Sequence, residues 1–157
     1  VKMMGMMLRV TVCLLLAIVS LTGCGDDTAA DGTTIVAPGN LTVTYTNSGG
    51  GTDATAAPLE FQISDSKGNP VPGVKVRFFA GGSVFALSDR AGIALNADPT
   101  LFETTTDDRG LSPRDIYARW SVPACNATED VTATGSVEAS IGVASATWTV
   151  TITASQC

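Results

Sequence analysis

An all-β domain, a sandwich of about seven strands, is what the sequence predicts, and three observations predict it. Apolar and polar residues alternate in several runs, most cleanly in 146–153, where Ala146, Trp148, Val150 and Ile152 face one way and four threonines the other. Period 2 is the signature of a half-buried strand. The runs are separated by clusters of Gly, Pro and Asp, the residues that build turns. No long stretch carries the 3.6-residue apolar period of a surface helix.

The N-terminal stretch reads as an address. Lys2 and Arg9 precede the apolar run 10–19, and Leu21-Thr22-Gly23 leads into Cys24. A short positive end, an apolar segment too short to span a bilayer stably and small residues before a cleavage point make a signal peptide over 1–23. The Leu-Thr-Gly-Cys tetrad resembles the bacterial lipoprotein motif. That resemblance implies that diacylglycerol alkylates the Cys24 thiol, that cleavage makes Cys24 the first residue, and that its amine is then acylated, for example with palmitate. An ordinary secretory signal with Cys24 near the cut is the alternative. Gly25 follows the cysteine where enteric-type sorting uses Asp for inner-membrane retention, so the resemblance points to the outer membrane of a two-membrane cell.

Residues 24–39 hold Asp26, Asp27 and Asp31 among Thr, Ala and Gly, with little to bury, and are expected to be a flexible tether. A calcium loop would need a Glu ligand at EF-hand spacing, and none follows. The domain proper is expected over 40–157. Leu41, Val43 and Tyr45 alternate with Thr42, Thr44 and Thr46 as a first strand. Residues 47–57, with glycines at 49–51, read as a loop, since a phosphate-binding loop would end in Gly-Lys-Ser/Thr and open a helix.

Residues 59–80 are the most legible stretch. Leu59, Phe61 and Ile63 alternate with Glu60, Gln62 and Ser64, and Val74, Val76 and Phe78 with Lys75 and Arg77. Between them Asp65-Ser66-Lys67-Gly68 suits a turn with Gly68 at positive φ, and Pro72-Gly73 a type II turn. The spacing predicts a central hairpin. Gly81-Gly82 reads as a break, and 84–87 and 93–95 as a small hairpin or irregular crossing around Asp89-Arg90-Ala91-Gly92. Further strands are expected at 101–106, 116–122, 130–137 and 146–153, with Asp107-Asp108-Arg109-Gly110 as a tight turn.

Two motifs in this pattern resemble the bacterial immunoglobulin-like repeats of the invasin and intimin type. Asp65, Gly68, Pro70, Val71, Gly73, Val76 and Phe78 fit the first, and Thr106, Asp107 and Gly110 the second. The resemblance covers roughly 40–153 and implies an Ig-like β-sandwich acting as a rigid spacer or adhesive module at a bacterial surface, with no catalytic residues to transfer. A single copy is present where stalks have many, and the segment between Phe78 and Thr106 is longer than is usual there. Transthyretin-like and carboxypeptidase-regulatory-like sandwiches share the Gly-x-Pro-Val-x-Gly signature and remain alternative topologies.

Composition narrows the chemistry. The chain has 157 residues, enough for one domain with a real core. Its 9 Lys plus Arg face 15 Asp plus Glu, and loss of Lys2 and Arg9 with the signal leaves 7 against 15, a net charge of −8. Such a surface repels nucleic acid and anionic headgroups. The sequence contains no His, which removes the commonest general base and transition-metal ligand. A Ser-Lys pair would draw on Lys67 or Lys75, and carboxylate pairs on Asp107 with Asp108 or Glu129 with Asp130, but adjacent carboxylates in turns ordinarily face water. Trp120 and Trp148 could form a sugar platform if exposed, though their apolar registers place them in the core. Asn40-Leu41-Thr42 and Asn126-Ala127-Thr128 match a glycosylation pattern that a lipoprotein of this type leaves idle. No enzyme activity, cofactor or metal is expected.

Of the four cysteines, Cys13 leaves with the signal and Cys24 is taken by lipid, so Cys125 and Cys157 are expected to pair in an oxidising compartment. If 131–137 and 146–153 are antiparallel neighbours, both cysteines reach one pole of the sheet. A protein partner in the envelope, or a carbohydrate, is the ligand class left open.

Overall fold

The structure is a computed structural model, and it describes residues 32–46, 50, 53–55, 58–112 and 115–157. Among these the chain forms ten strands and no helix: β1 (Thr34–Val36), β2 (Leu41–Tyr45), β3 (Asp53–Thr55), β4 (Gln62–Ser64), β5 (Lys75–Gly82), β6 (Val84–Ser88), β7 (Leu101–Thr105), β8 (Tyr117–Ser121), β9 (Val131–Ile141) and β10 (Ala144–Ala154). The fold is all-β, with ten strands where about seven were expected.

One layer is a five-stranded sheet in the order β2-β10-β9-β5-β7, antiparallel except where β2 runs parallel to β10. The other is built from a three-stranded sheet, β3-β8-β6, and the pair β1-β4. Backbone bonds from Leu59 N–H to Ile116 O (2.7 Å), Ser112 N–H to Phe61 O (2.9 Å) and Ile63 N–H to Gly110 O (2.8 Å) carry β4 alongside the path that leads into β8. These bonds join the two smaller sheets into one face.

The core lies between the layers. From one side come Val76, Phe78, Val137, Ala139, Trp148, Val150 and Ile152, and from the other Leu59, Phe61, Ile63, Val84, Leu87, Ile116 and Trp120, all buried. Phe61 meets Phe78 edge-on at 5.3 Å between ring centroids, joining the layers at their middle. Each large apolar side chain so buried contributes about 1.5–3 kcal/mol relative to exposure, which is why the period-2 residues decide the register.

β9 and β10 run as one long hairpin, with Ala144 opposite Ile141 and Ala154 opposite Val131. Their loop is the two residues Gly142 and Val143, with Gly142 at φ 55°, the positive φ that two-residue hairpins need. Both strands extend beyond the predicted 130–137 and 146–153.

The predicted central hairpin is not formed. β4 pairs with β1, whereas β5 pairs with β7 and β9. The turn residues of 65–74 do bend the chain, with Gly68 at φ 81° and Gly73 at φ 71°, but the ten-residue connection crosses from one layer to the other. Gly81-Gly82 marks the end of β5 as expected, though both glycines still pair within the strand, opposite Ser136 and Gly135. There the chain crosses back. Gly82 has φ 63°, and a Cβ on Gly135 would sit 2.5 Å from Val84 N, so the corner closes only over a strand without a side chain.

Ordered structure also begins earlier than predicted. Within the stretch read as tether, β1 forms at 34–36, Ile35 and Ala37 pack on the core, and Gly39 O accepts from Trp148 Nε1. β3 forms inside the stretch read as the 47–57 loop.

Candidate functional site

Cys24, proposed as the anchor, lies outside the described residues, as do Cys13, Asp26, Asp27 and Asp31. Cys125 and Cys157 are joined in a disulfide with Cα atoms 5.7 Å apart, an ordinary separation for the bond. Sheet register brings them together: Ala154 opposite Val131 aligns the segment after β10 with the one before β9. Around the bridge Cys157 N–H donates to Asn126 O, Gln156 N–H to Asp130 Oδ1 and Ser155 N–H to Tyr45 O. The C-terminal end is therefore held to two neighbours, β2 on one side and the approach to β9 on the other.

Both tryptophans and both sequon asparagines occupy structural positions. Trp120 and Trp148 are each 2% exposed, and their indole N–H groups donate to Tyr45 Oη and Gly39 O. Neither offers a face to a sugar. Asn40 Oδ1 accepts from Thr149 N–H across to β10, and Asn126 Oδ1 from the N–H and hydroxyl of Thr128 within its own loop, so the oxygen of each sequon amide is engaged. Asp130 accepts from the C-terminal backbone. Lys67 lies in the first Asp turn, and Lys75 on β5 faces Thr105.

Asp107 belongs to a loop that recurs. Its Oδ1 accepts from Arg109 and Leu111 N–H, its carbonyl from Gly110 N–H, and its N–H donates to Leu111 O. Asp65 makes the same four bonds with Lys67, Gly68 and Asn69, and Asp89 with Ala91, Gly92 and Ile93. In all three the glycine three residues on has positive φ. This is a tight Asp-x-x-Gly turn in which the carboxylate takes up otherwise unmade backbone bonds. The Asn69 side chain and backbone hold Asp65 below the usual carboxylate range, and the Leu111 N–H followed by Arg109 does so for Asp107. Carboxylates held ionised by donors are poor general acids. Among the described residues no group of three His, Cys, Asp or Glu is placed to hold a metal.

Among the described residues Val36, Ile93 and Val143 are exposed singly, whereas two exposed apolar residues meet on the β7 side of the five-stranded sheet. Phe79 and Leu101 are cross-strand partners and 52% and 43% exposed. Beside them Arg77 pairs with Glu103, and a depression of about 320 Å³ is lined by Arg77, Phe78, Asn96, Leu101, Phe102 and Glu103. The opposite part of the same face is uncharged: Thr42, Thr151 and Thr134 form one row across three strands, and Thr44, Thr153 and Thr132 the next. No family model and no curated protein matches this chain. The site therefore stands on its geometry alone.

Sequence reasoning missed this edge. The outward placement of Phe79 between inward Phe78 and Ala80 was the available signal, since it breaks the rule that a strand hides its apolar residues.

Proposed function

We propose that this is a lipid-anchored envelope protein, tethered through Cys24, whose single Ig-like β-sandwich is a non-catalytic adhesion or protein-binding module held away from the membrane. The observation that carries the binding reading is the exposed Phe79–Leu101 pair at the margin of an otherwise polar sheet face. An exposed aromatic beside an aliphatic residue at a sheet margin supports binding over a pure spacer role. The lipoprotein tetrad before Cys24 supports the anchor, and the Asp turns and Gly73 and Gly110 conformations suit the invasin-like pattern.

The anchor is tested by labelling cells with palmitate. Cys24→Ala is expected to lose the label and the membrane fraction; equal incorporation into both forms would overturn it. Binding is tested with a photo-reactive phenylalanine analogue placed in turn at Thr105, Thr44 and Val143 in the full chain in its own cells. Discrete adducts at one position and not the others are expected of a binding module, and none at any position of a spacer.

A further inference from the structure

We propose that the outer edge of β7 docks an extended segment of a partner protein by strand addition, with a basic residue opposite Glu103 and an apolar residue opposite Leu101. This rests on the binding-module reading above and names its surface.

The edge is open. β7 is the last strand of its sheet, paired only with β5 among the described residues. Ala80 N–H donates to Thr100 O and Thr106 N–H to Val74 O, so the even-numbered residues turn their backbone groups toward β5. The odd-numbered ones turn theirs outward, because antiparallel pairing alternates. Leu101 N–H is used by Asp98 O, which leaves Leu101 C=O and both groups of Glu103 and Thr105 along the free side.

The edge is also undefended. Exposed edges are ordinarily blunted by Lys, Pro, a bulge or a covering segment. The edge of β6 is covered in this way, through Leu87 N–H to Pro99 O and Leu95 N–H to Leu87 O. β7 reads Leu-Phe-Glu-Thr-Thr, with no Lys and no Pro, and its register with β5 runs without a bulge. Its one charge, Glu103, pairs with Arg77 on the neighbouring strand and stays about half exposed, so it repels an acidic strand and admits a basic one.

Charge and register choose the occupant. A second copy adding antiparallel with full overlap of 101–105 would place Glu103 directly opposite its own copy, and like charges so placed are destabilising. A foreign strand with Lys or Arg there would extend the row to Arg77, Glu103, cation, in alternating sign. Two residues along, its apolar side chain would lie beside Leu101 and Phe79, and between them another would cover half-buried Phe102. Main-chain bonds then provide the attachment and alternate side chains the selectivity.

The probe is a capped five-residue peptide, Thr-Thr-Lys-Val-Val, titrated into the isotope-labelled full chain and followed by amide chemical shifts. Saturable shifts at Glu103 and Thr105 are expected, with a Kd at or below about 1 mM. Glu in place of the peptide's Lys should weaken binding roughly two- to fivefold, the range of an exposed ion pair, and Glu103→Gln should remove that preference while leaving the fold intact. A peptide methylated on its Lys backbone nitrogen should not bind. Absence of saturable shifts over 101–105, or equal binding by the methylated peptide, overturns the proposal. Photo-adducts at Thr44 or Val143 but not Thr105 would sink this edge while the binding reading stands, and adducts nowhere would sink both.

Discussion

Thr106→Val is the substitution that tests most directly how the two motif regions hold one another. Thr106 is 6% exposed. Its hydroxyl donates to Val71 O at 2.8 Å and accepts from Val74 N–H at 3.0 Å, while its backbone N–H donates to Val74 O and its carbonyl accepts from Gly73 N–H. One residue therefore closes the Pro72-Gly73 turn from both sides. Valine has the same shape and keeps the backbone bonds, but it leaves a donor and an acceptor without a partner. An unmet, largely buried polar group costs about 1–3 kcal/mol, so the pair is expected to cost about 2–4 kcal/mol after partial access of water. Urea unfolding of the oxidised chain measures it, as a lowered midpoint at unchanged slope. Thr106→Ser keeps the hydroxyl and should retain most of the stability, and Thr105→Val, on the exposed neighbour, should change little. A Thr106→Val protein within about 0.5 kcal/mol of wild type, or a Ser variant as damaged as the Val one, would refute the reasoning.

Replacing Cys125 and Cys157 together with Ser is expected to lower stability by up to about 3.7 kcal/mol on the chain-entropy estimate, measured by denaturant unfolding, while circular dichroism keeps the β signature. Ser88→Ala should be neutral or stabilising by about 1 kcal/mol, because the Ser88 hydroxyl is buried without a hydrogen-bond partner; a clear loss of thermal stability would show that it has one. Gly135→Ala should destabilise by about 1–3 kcal/mol or more, since its methyl would strike Val84, whereas Gly68→Ala, with open space around it, should cost only its φ. Asp65, Asp98 and Asp107 all have folded pKa values lowered by hydrogen bonds, so their stabilisation is present above the unfolded carboxylate value of about 3.9 and is lost as pH falls through the folded values. Thermal scans should therefore be flat above about pH 5 and fall below it, and Asp107→Asn should reduce that acid-limb slope.

What could be seen in the sequence was local alternation and the pairing of the two cysteines left without other partners. The Thr/Val alternation of β10, the pairing of Cys125 with Cys157 and the burial of both tryptophans follow from period 2 and from the shortage of other partners. Partner choice was not legible, because Gly68 and Gly73 say that the chain turns and leave open whether the flanking strands pair. β1 and β3 were invisible for another reason: three residues each, they offer too short a run for alternation to register, and their neighbours hold them in place. The β7 edge is less readable still, since an edge is defined by a neighbour that is missing from the sheet.

Two short motifs about forty residues apart in sequence pack together as one unit. Gly110 has φ 68°, and a Cβ there would fall 2.5 Å from Ile63 O, 2.8 Å from Val71 N and 3.1 Å from Pro70 Cβ. The second Asp turn is thus packed directly on the connection that the first one opens, and Ile63 N–H donates to Gly110 O across the contact. Gly110 lets the backbones approach, Thr106 closes the turn, and Pro70 fixes the path between. That junction joins the strand before it, in one layer, to β5 in the other, and β5 in turn carries both the buried Phe78 and the exposed Phe79. The position of the β7 edge is therefore set from the core outward, through the register of β5, and a change at Thr106 or Gly110 that loosened the junction would be transmitted to Glu103 through the strand that pairs with it.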